Sequence, residues 1–262
     1  MTDPLGGTIP PRRVVPPPAI TSRPGAEPRT HDGAPRDVGV VIVAAGRGTR
    51  VGGEELKQFR WVAGRPMLLH SVQTFMARPD VALVVVVLPK SHAADPPPWL
   101  FQCDIDRLLV SVGGRERSES VANGLEDMPD EVRTVLIHDA ARPLVPDDMI
   151  ERVVASARDG HAVVPALPVV DTLKEVADDG TVARTVDRAR LWRIQTPQGF
   201  PRDLIMRAHG EARRAQRTFT DDAGLCEWLG IPVRVVRGSE RALKITDESD
   251  FARAEALSIL QE

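Results

Sequence analysis

The chain has 262 residues, of which 42% are hydrophobic and 27% charged, with a formal net charge of −3. That suffices for one large core, or one core with a small appendage, and a single catalytic domain with no fused second activity is expected. The near-neutral balance excludes a general basic field for nucleic acid, and no apolar run approaches the ~20 residues of a membrane span.

Two widely separated cysteines, Cys103 and Cys226, give neither a metal-ligand spacing nor a disulfide framework. The N-terminus lacks an apolar signal core, so the expected location is a reducing cytoplasm. Residues 1–37 carry nine of the 23 prolines and little periodic apolar content. Such a stretch buries too little surface to offset its ordering entropy, so it reads as a disordered Pro-rich tail. The folded domain is expected over 38–262, with order beginning near Asp37.

Val38 to Val43 is a Val- and Ile-rich run that breaks into Ala44-Ala45-Gly46-Arg47-Gly48-Thr49-Arg50, with Lys57-Gln58 shortly after. The run predicts a buried strand, and the glycines allow a sharp turn that a ligand can approach closely. Backbone N–H groups of such a turn suit an anion, and Arg50 and Lys57 add positive charge. A polyphosphate site is one reading of this loop. An ordinary strand-to-helix turn with two solvated cations is the other. The loop is neither a P-loop, lacking Gly-Lys-Ser/Thr, nor a dinucleotide fingerprint, lacking the third glycine.

Helical spacing of Met67, Leu68, Val72, Phe75 and Met76 after Pro66 predicts a helix over 66–77. The β-branched run 81–88 predicts a parallel strand covered on both faces. The triple proline in 89–98 argues against any regular element there. Strands follow at 108–112 and 134–137, and an amphipathic helix runs through Val121, Leu125 and Met128. A further helix is predicted from Pro146 to about Ala157, then a short strand at 162–165. The Asp178-Asp179-Gly180 turn, flanked by alternating segments, predicts a β-hairpin arm over about 168–190. Helices near 202–216 and 222–229, a strand at 233–236 and a helix from Glu248 complete the chain. The alternation defines an α/β fold with a mostly parallel, Rossmann-like sheet flanked by helices. The arm has few large apolar residues and is marginal alone, which suggests that it reaches over a second subunit.

Conspicuous polar residues gather at the ends of predicted strands, where open parallel sheets bind ligands. Gly113-Gly114-Arg115-Glu116-Arg117, with Ser120, is a second glycine-rich turn that opens a helix; it is either a plain turn or a cup for a base or ribose. His138-Asp139-Ala140-Ala141-Arg142 sets a carboxylate three residues before a guanidinium. This is either a local ion pair or a binding site for a phosphorylated, hydroxylated substrate, with Arg142 matched to phosphate. His138 reads as a structural histidine. Thr172 and Arg188 lie on the two arms of the hairpin, Thr196 on a loop, and Lys244 interrupts an apolar patch, a common place for a snorkelling lysine.

Taken together, Ala-Ala-Gly-x-Gly-x-Arg, Lys-Gln, Gly-Gly-x-Glu-Arg-x-x-Ser-Val, His-Asp-Ala-Ala-Arg-Pro, Asp-Thr-x-Lys, Thr-Val-Asp-Arg and Gln-Thr-Pro-Gln resemble the 2-C-methyl-D-erythritol 4-phosphate cytidylyltransferases. The resemblance runs from about Val38 to the C-terminal helix. It implies transfer of CMP from CTP to the polyol phosphate, with release of pyrophosphate, in non-mevalonate isoprenoid synthesis. It further implies Mg²⁺, a homodimer joined through the arm, and no nucleic-acid or membrane partner. Arg50 and Lys57 become catalytic, beside the α-phosphate. Ala44, Ala45, Gly46, Gly48, Gly113, Gly114, Ser120 and Lys244 bind CTP. Asp139, Ala140, Arg142, Thr172, Arg188 and Thr196 bind the second substrate, and Asp139 is the metal candidate. Leu56 stands where many members have Pro, and Ala242 replaces an Asn common two residues before the lysine. A ribitol 5-phosphate cytidylyltransferase would share the fold and the triphosphate loop. A catalytically inactive nucleotide-binding regulator would share the fold, but intact Arg50, Lys57, Asp139 and Lys244 argue against it.

Overall fold

A computed structural model describes residues 29–31, 34–46 and 56–259 of the chain. β1 (Arg29–His31) and β2 (Ala34–Arg36) form a small antiparallel pair. Regular pairing therefore begins within the stretch assigned to the tail, ahead of Asp37. The main sheet starts at β3 (Val38–Val43), whose β-branched run suits a strand covered on both sides. A Lys57–Phe59 3₁₀ turn and the short pair β4 (Trp61–Val62) and β5 (Arg65–Pro66) lead into α1 (Met67–Met76).

β6 (Val81–Leu88) has the bounds its apolar run predicts. The following proline-rich loop does not stay irregular. It holds α2 (Lys90–Ala94) and a Pro98–Gln102 3₁₀ turn. The physical reason is positional: Pro89 caps one element and Pro98 opens the other, where a missing N–H costs no internal hydrogen bond. β7 (Leu108–Val112), α3 (Arg117–Glu126), β8 (Thr134–Asp139), α4 (Asp147–Arg158) and β9 (Ala162–Pro168) follow in alternation.

β10 (Leu173–Val176) and β11 (Val182–Val186) then make the hairpin, outside the main sheet. β12 (Trp192–Ile194) and β13 (Gln198–Pro201) return to it. α5 (Arg202–Arg214), α6 (Asp222–Trp228), β14 (Val233–Arg237) and α7 (Glu248–Ile259) close the described chain.

The eight-stranded sheet runs β12-β9-β13-β8-β3-β6-β7, with β14 also paired to β9. β8, β3, β6 and β7 pair in parallel, as do β14 and β9. β13 enters antiparallel beside both β8 and β9, and β12 pairs antiparallel with β9. The sheet is thus mostly parallel. Alternate residues of its central strands serve two cores. Val40, Ile42, Val84, Val86 and Leu136 pack with Leu68, Val72 and Phe75 of α1 and with Met149 and Val153 of α4. Val41, Val85, Val87, Val135 and Ile137 pack with Val121 and Leu125 of α3 and with Ile205 of α5. Each such side chain, fully buried, contributes roughly 1.5–3 kcal/mol.

The parallel register aligns the strand ends where the chemistry sits. Val43 lies opposite Asp139. Beyond the strands, Ala44 N–H donates to the Val87 carbonyl, Gly113 N–H to that of Leu88 and Ala140 N–H to that of Val43. The two glycine-rich turns and the His-Asp-Ala-Ala segment are therefore fixed side by side.

Candidate active site

A cleft of about 300 Å³ opens at these carboxyl ends. Ala44, Ala45, Gly46, Lys57, Gly114, Ser120, Asp139, Ala140 and Lys244, all chosen from sequence, line it. Gly113 lies just beneath, so close that an added Cβ would stand 2.3 Å from that of Ala45. Gly48 and Arg50 lie outside the described residues.

Among the described lining residues, Lys57, Arg115, Arg117 and Lys244 are basic, and Glu116 and Asp139 are acidic. This excess of positive charge suits a polyanion. Lys57 Nζ donates to the Ile245 carbonyl at 2.8 Å, which draws the loop after Ala242 up to the glycine-rich turn. Gln58 is buried, and its amide donates to the carbonyls of Ala44 (2.6 Å) and Gly46 (3.2 Å). One side chain of the cleft wall thus holds both carbonyls, which fixes the start of the turn.

Asp139 is the electrostatic centre. Burial alone would raise its pKa, but Arg117 and Lys244 more than offset that and hold the carboxyl well below the usual range. Lys244 Nζ donates to Oδ2 at 2.7 Å, whereas Arg117 stands 3.4 Å from Oδ1, long for a hydrogen bond and chiefly a charge contact. The Asp139 N–H donates to Thr196 Oγ1 at 3.0 Å.

His138 is fully buried behind this group, and burial pushes its pKa down to about 4. Its Nε2 lies 3.1 Å from the Arg142 carbonyl and its Nδ1 3.1 Å from Thr196 Oγ1. A carbonyl only accepts, so the proton sits on Nε2 and the threonine hydroxyl donates to Nδ1. His138 is a neutral structural ring.

The remaining sequence candidates do not line the cleft. Thr196 is buried and spends its hydroxyl between Asp139 and His138. Arg142 is buried and turns to the carbonyls of Ala242 (2.6 Å) and Ile194 (3.3 Å). Thr172 and Arg188 are exposed around the hairpin, Arg188 donating to the Val170 carbonyl.

Sequence reasoning misses three residues. Gln58 enters it only as part of a pair, and Arg117 only as part of a motif. Asp222 is buried and pairs with Arg117. Its one sequence signal is the Asp-Asp pair where α6 begins.

A parallel sheet with two glycine-rich turns and a cation-rich cleft at its strand ends defines an α/β nucleotidyltransferase. The family model for 2-C-methyl-D-erythritol 4-phosphate cytidylyltransferase matches residues 38–261. The enzyme of that name from Streptomyces avermitilis is 44% identical over 227 residues, covering 83% of this chain and 90% of its own. That from Frankia casuarinae is 43% identical over 221 residues, covering 84% and 80%. The crystal structure of the Thermus thermophilus enzyme superposes with a TM-score of 0.73 at 38% identity, over 85% of this chain and 99% of that one. The chain belongs to the 2-C-methyl-D-erythritol 4-phosphate cytidylyltransferase family. Its activity is the CTP-dependent synthesis of 4-diphosphocytidyl-2-C-methylerythritol in isoprenoid biosynthesis.

Proposed function

We propose that this reaction takes place in the cleft between the ends of β3, β7 and β8, and that its residues divide by substrate. The observation that carries the reading is the convergence there of four cations on two glycine-rich turns. Ala44, Ala45, Gly46 and Gly48 hold the triphosphate, while Gly113, Gly114 and Ser120 serve the cytidine and ribose. Arg50 and Lys57 flank the α-phosphorus, and Lys244 takes a phosphate oxygen. Asp139 and Ala140 face the polyol phosphate, with Arg142 and Thr196 supporting them from behind.

The substrate phosphate is already an anionic nucleophile, so attack on the α-phosphorus requires no general base. One P–O bond forms to the polyol phosphate, the α–β anhydride bond breaks, and its electron pair leaves with pyrophosphate. Catalysis then rests on in-line positioning and on stabilising charge at the pentacoordinate phosphorus. Lys57, anchored on the Ile245 carbonyl, offers a preorganised positive charge for that purpose.

Among the described residues no cluster of three or more His, Cys, Asp or Glu is built to hold a metal. One carboxylate at the cleft, Asp139, still fits Mg²⁺, which commonly takes one or two carboxylates and completes its shell with phosphate oxygens and water. Bound there, the ion would neutralise triphosphate charge.

The arm supports a homodimer. Val170, Val176 and Val182 are more than half exposed around it, and Thr172 and Arg188 lie away from their own cleft. In the proposed dimer these two residues complete the cleft of a second copy. No described helix is long and apolar enough to cross a membrane, and Cys103 and Cys226 are unpaired, in keeping with a cytoplasmic enzyme.

The test is pyrophosphate release with CTP and Mg²⁺, offering 2-C-methylerythritol 4-phosphate and ribitol 5-phosphate in parallel. Release with the first alone is expected. Release with the second alone would refute the assignment of the polyol site.

A further inference from the structure

Arg117 is the first residue of α3, and its guanidinium spans two carboxylates from different parts of the fold. Nη1 donates to Asp222 Oδ2 at 2.7 Å, while Nε and Nη2 face Asp139 Oδ1 at 3.4 Å. Asp222 has little freedom to move. It is 1% exposed, its Oδ1 lies 3.2 Å from His209 Nε2, and its N–H donates to Gln198 Oε1 at 3.1 Å. Gln198 in turn donates through Nε2 to Asp221 at 2.7 Å. One end of the guanidinium is therefore tied to a fixed point on α6, and the other faces the cleft carboxylate.

The two cations on Asp139 are unlike. Lys244 has a flexible stem and a side chain 43% exposed; Arg117 is a planar fork on a helix start, 26% exposed. An anionic ligand entering the cleft competes for the lysine far more readily than for the anchored arginine.

We propose that Arg117 is a positioning residue for Asp139. Braced on Asp222, it holds Oδ1 in place while Lys244 passes from Oδ2 to a phosphate of the incoming ligand. Without this brace, loss of Lys244 to a phosphate would leave a buried carboxylate with no fixed orientation. The inference rests on the proposed division of the cleft and adds to it the element that keeps Asp139 aligned during turnover.

A double-mutant cycle tests it, using Arg117→Lys, which keeps the charge but loses the fork. Expected is a loss of ~10-fold or more in kcat/KM, while the same change in an Asp139→Asn background costs less than ~2-fold. Thermal melting of each variant gives the folded fraction. Asp222→Asn, which removes the brace and leaves Arg117 in place, runs through the same cycle with the same criteria. Where turnover falls below detection, the cycle is read from CTP·Mg²⁺ and polyol phosphate binding by calorimetry. Equal losses in both backgrounds would mean that Arg117 acts independently of Asp139, and an undiminished kcat/KM would mean that no positioning is needed; either overturns the inference. A wild-type enzyme that releases no pyrophosphate would count against the proposed function, so the two failures are distinguishable.

Discussion

Replacing Gly113 by alanine tests how the two glycine-rich turns depend on each other. The new Cβ would lie 2.3 Å from Ala45 Cβ, 3.2 Å from the Leu88 carbonyl oxygen and 3.3 Å from Ser120 Oγ. Ordinary carbon–carbon contact is ~3.5–4.0 Å, so one turn must retreat by more than ~1 Å. Neither retreats freely. The Gly113 N–H is pinned to the Leu88 carbonyl at 2.7 Å and the Ala44 N–H to that of Val87 at 2.9 Å. Overpacking of this kind costs ~1–3 kcal/mol, and a shift of ~1 Å in a positioning group costs about 100-fold in rate. The expected result is a melting temperature lower by roughly 2–12 °C and kcat/KM for CTP lower by about 100-fold per folded molecule. Scanning calorimetry and steady-state pyrophosphate release measure the two. An alanine variant with wild-type melting and kcat/KM for CTP within twofold of wild type would refute the argument that the turns are packed to fixed contact.

Gly46→Ala is the complementary case: among the described residues nothing lies within 4 Å of a Cβ added there, so melting should not change. If the triphosphate lies over that turn, the CTP KM should rise by ~10-fold or more, and an unchanged KM would move the nucleotide elsewhere. Lys57→Met should lower kcat by at least ~100-fold, the size expected for one lost preorganised donor, and near-normal turnover would exclude the role. Stability should fall with acid. His138 has a folded pKa of about 4 against an ordinary 6.5, so between those values the unfolded chain binds the extra proton. Its contribution is complete above pH 6.5 and declines by about 3 kcal/mol as the pH drops towards 4. Asp139 and Asp222, with depressed folded pKa values, add a further loss below ~4. Urea midpoints from pH 7.5 to 4 follow the trend, and an NMR signal of His138 titrating near 6.5 would contradict it.

What can be read from sequence is local. The run 81–88 is β-branched throughout, and the 3.6-residue spacing of Met67 to Met76 reports a single buried face; both elements appear as expected. The arm is legible because Gly180, at φ +84° beside Asp179, supplies the turn that alternating flanks require. The antiparallel entry of β13 next to β8 is not, since Gln198-Gly199-Phe200-Pro201 has a single large apolar side chain and offers neither a β-branched run nor an alternation that would mark a strand. The 89–98 segment misleads for a different reason. Proline forbids the interior of a helix but favours its first turn, and only the positions of Pro89 and Pro98 relative to their elements distinguish the two.

The same contrast explains the site. Cleft residues with a short side chain or none, such as Ala44, Gly46 and Gly114, are fixed by strand ends and turns, which sequence marks well. Charged side chains are not, because a guanidinium or carboxylate has several angstroms of reach and settles where its charge is matched. Arg142 follows Asp139 by three residues, yet it turns away to two carbonyls, while Arg117, from another element, approaches that aspartate. A buried carboxylate must find cations whatever their origin in the chain. Of the two cations found here, Arg117 has a far end that is itself neutralised: Asp222 matches it, so the guanidinium can lie near the cleft at lower desolvation cost. That requirement links residues 105 positions apart and leaves no mark in any local window of sequence.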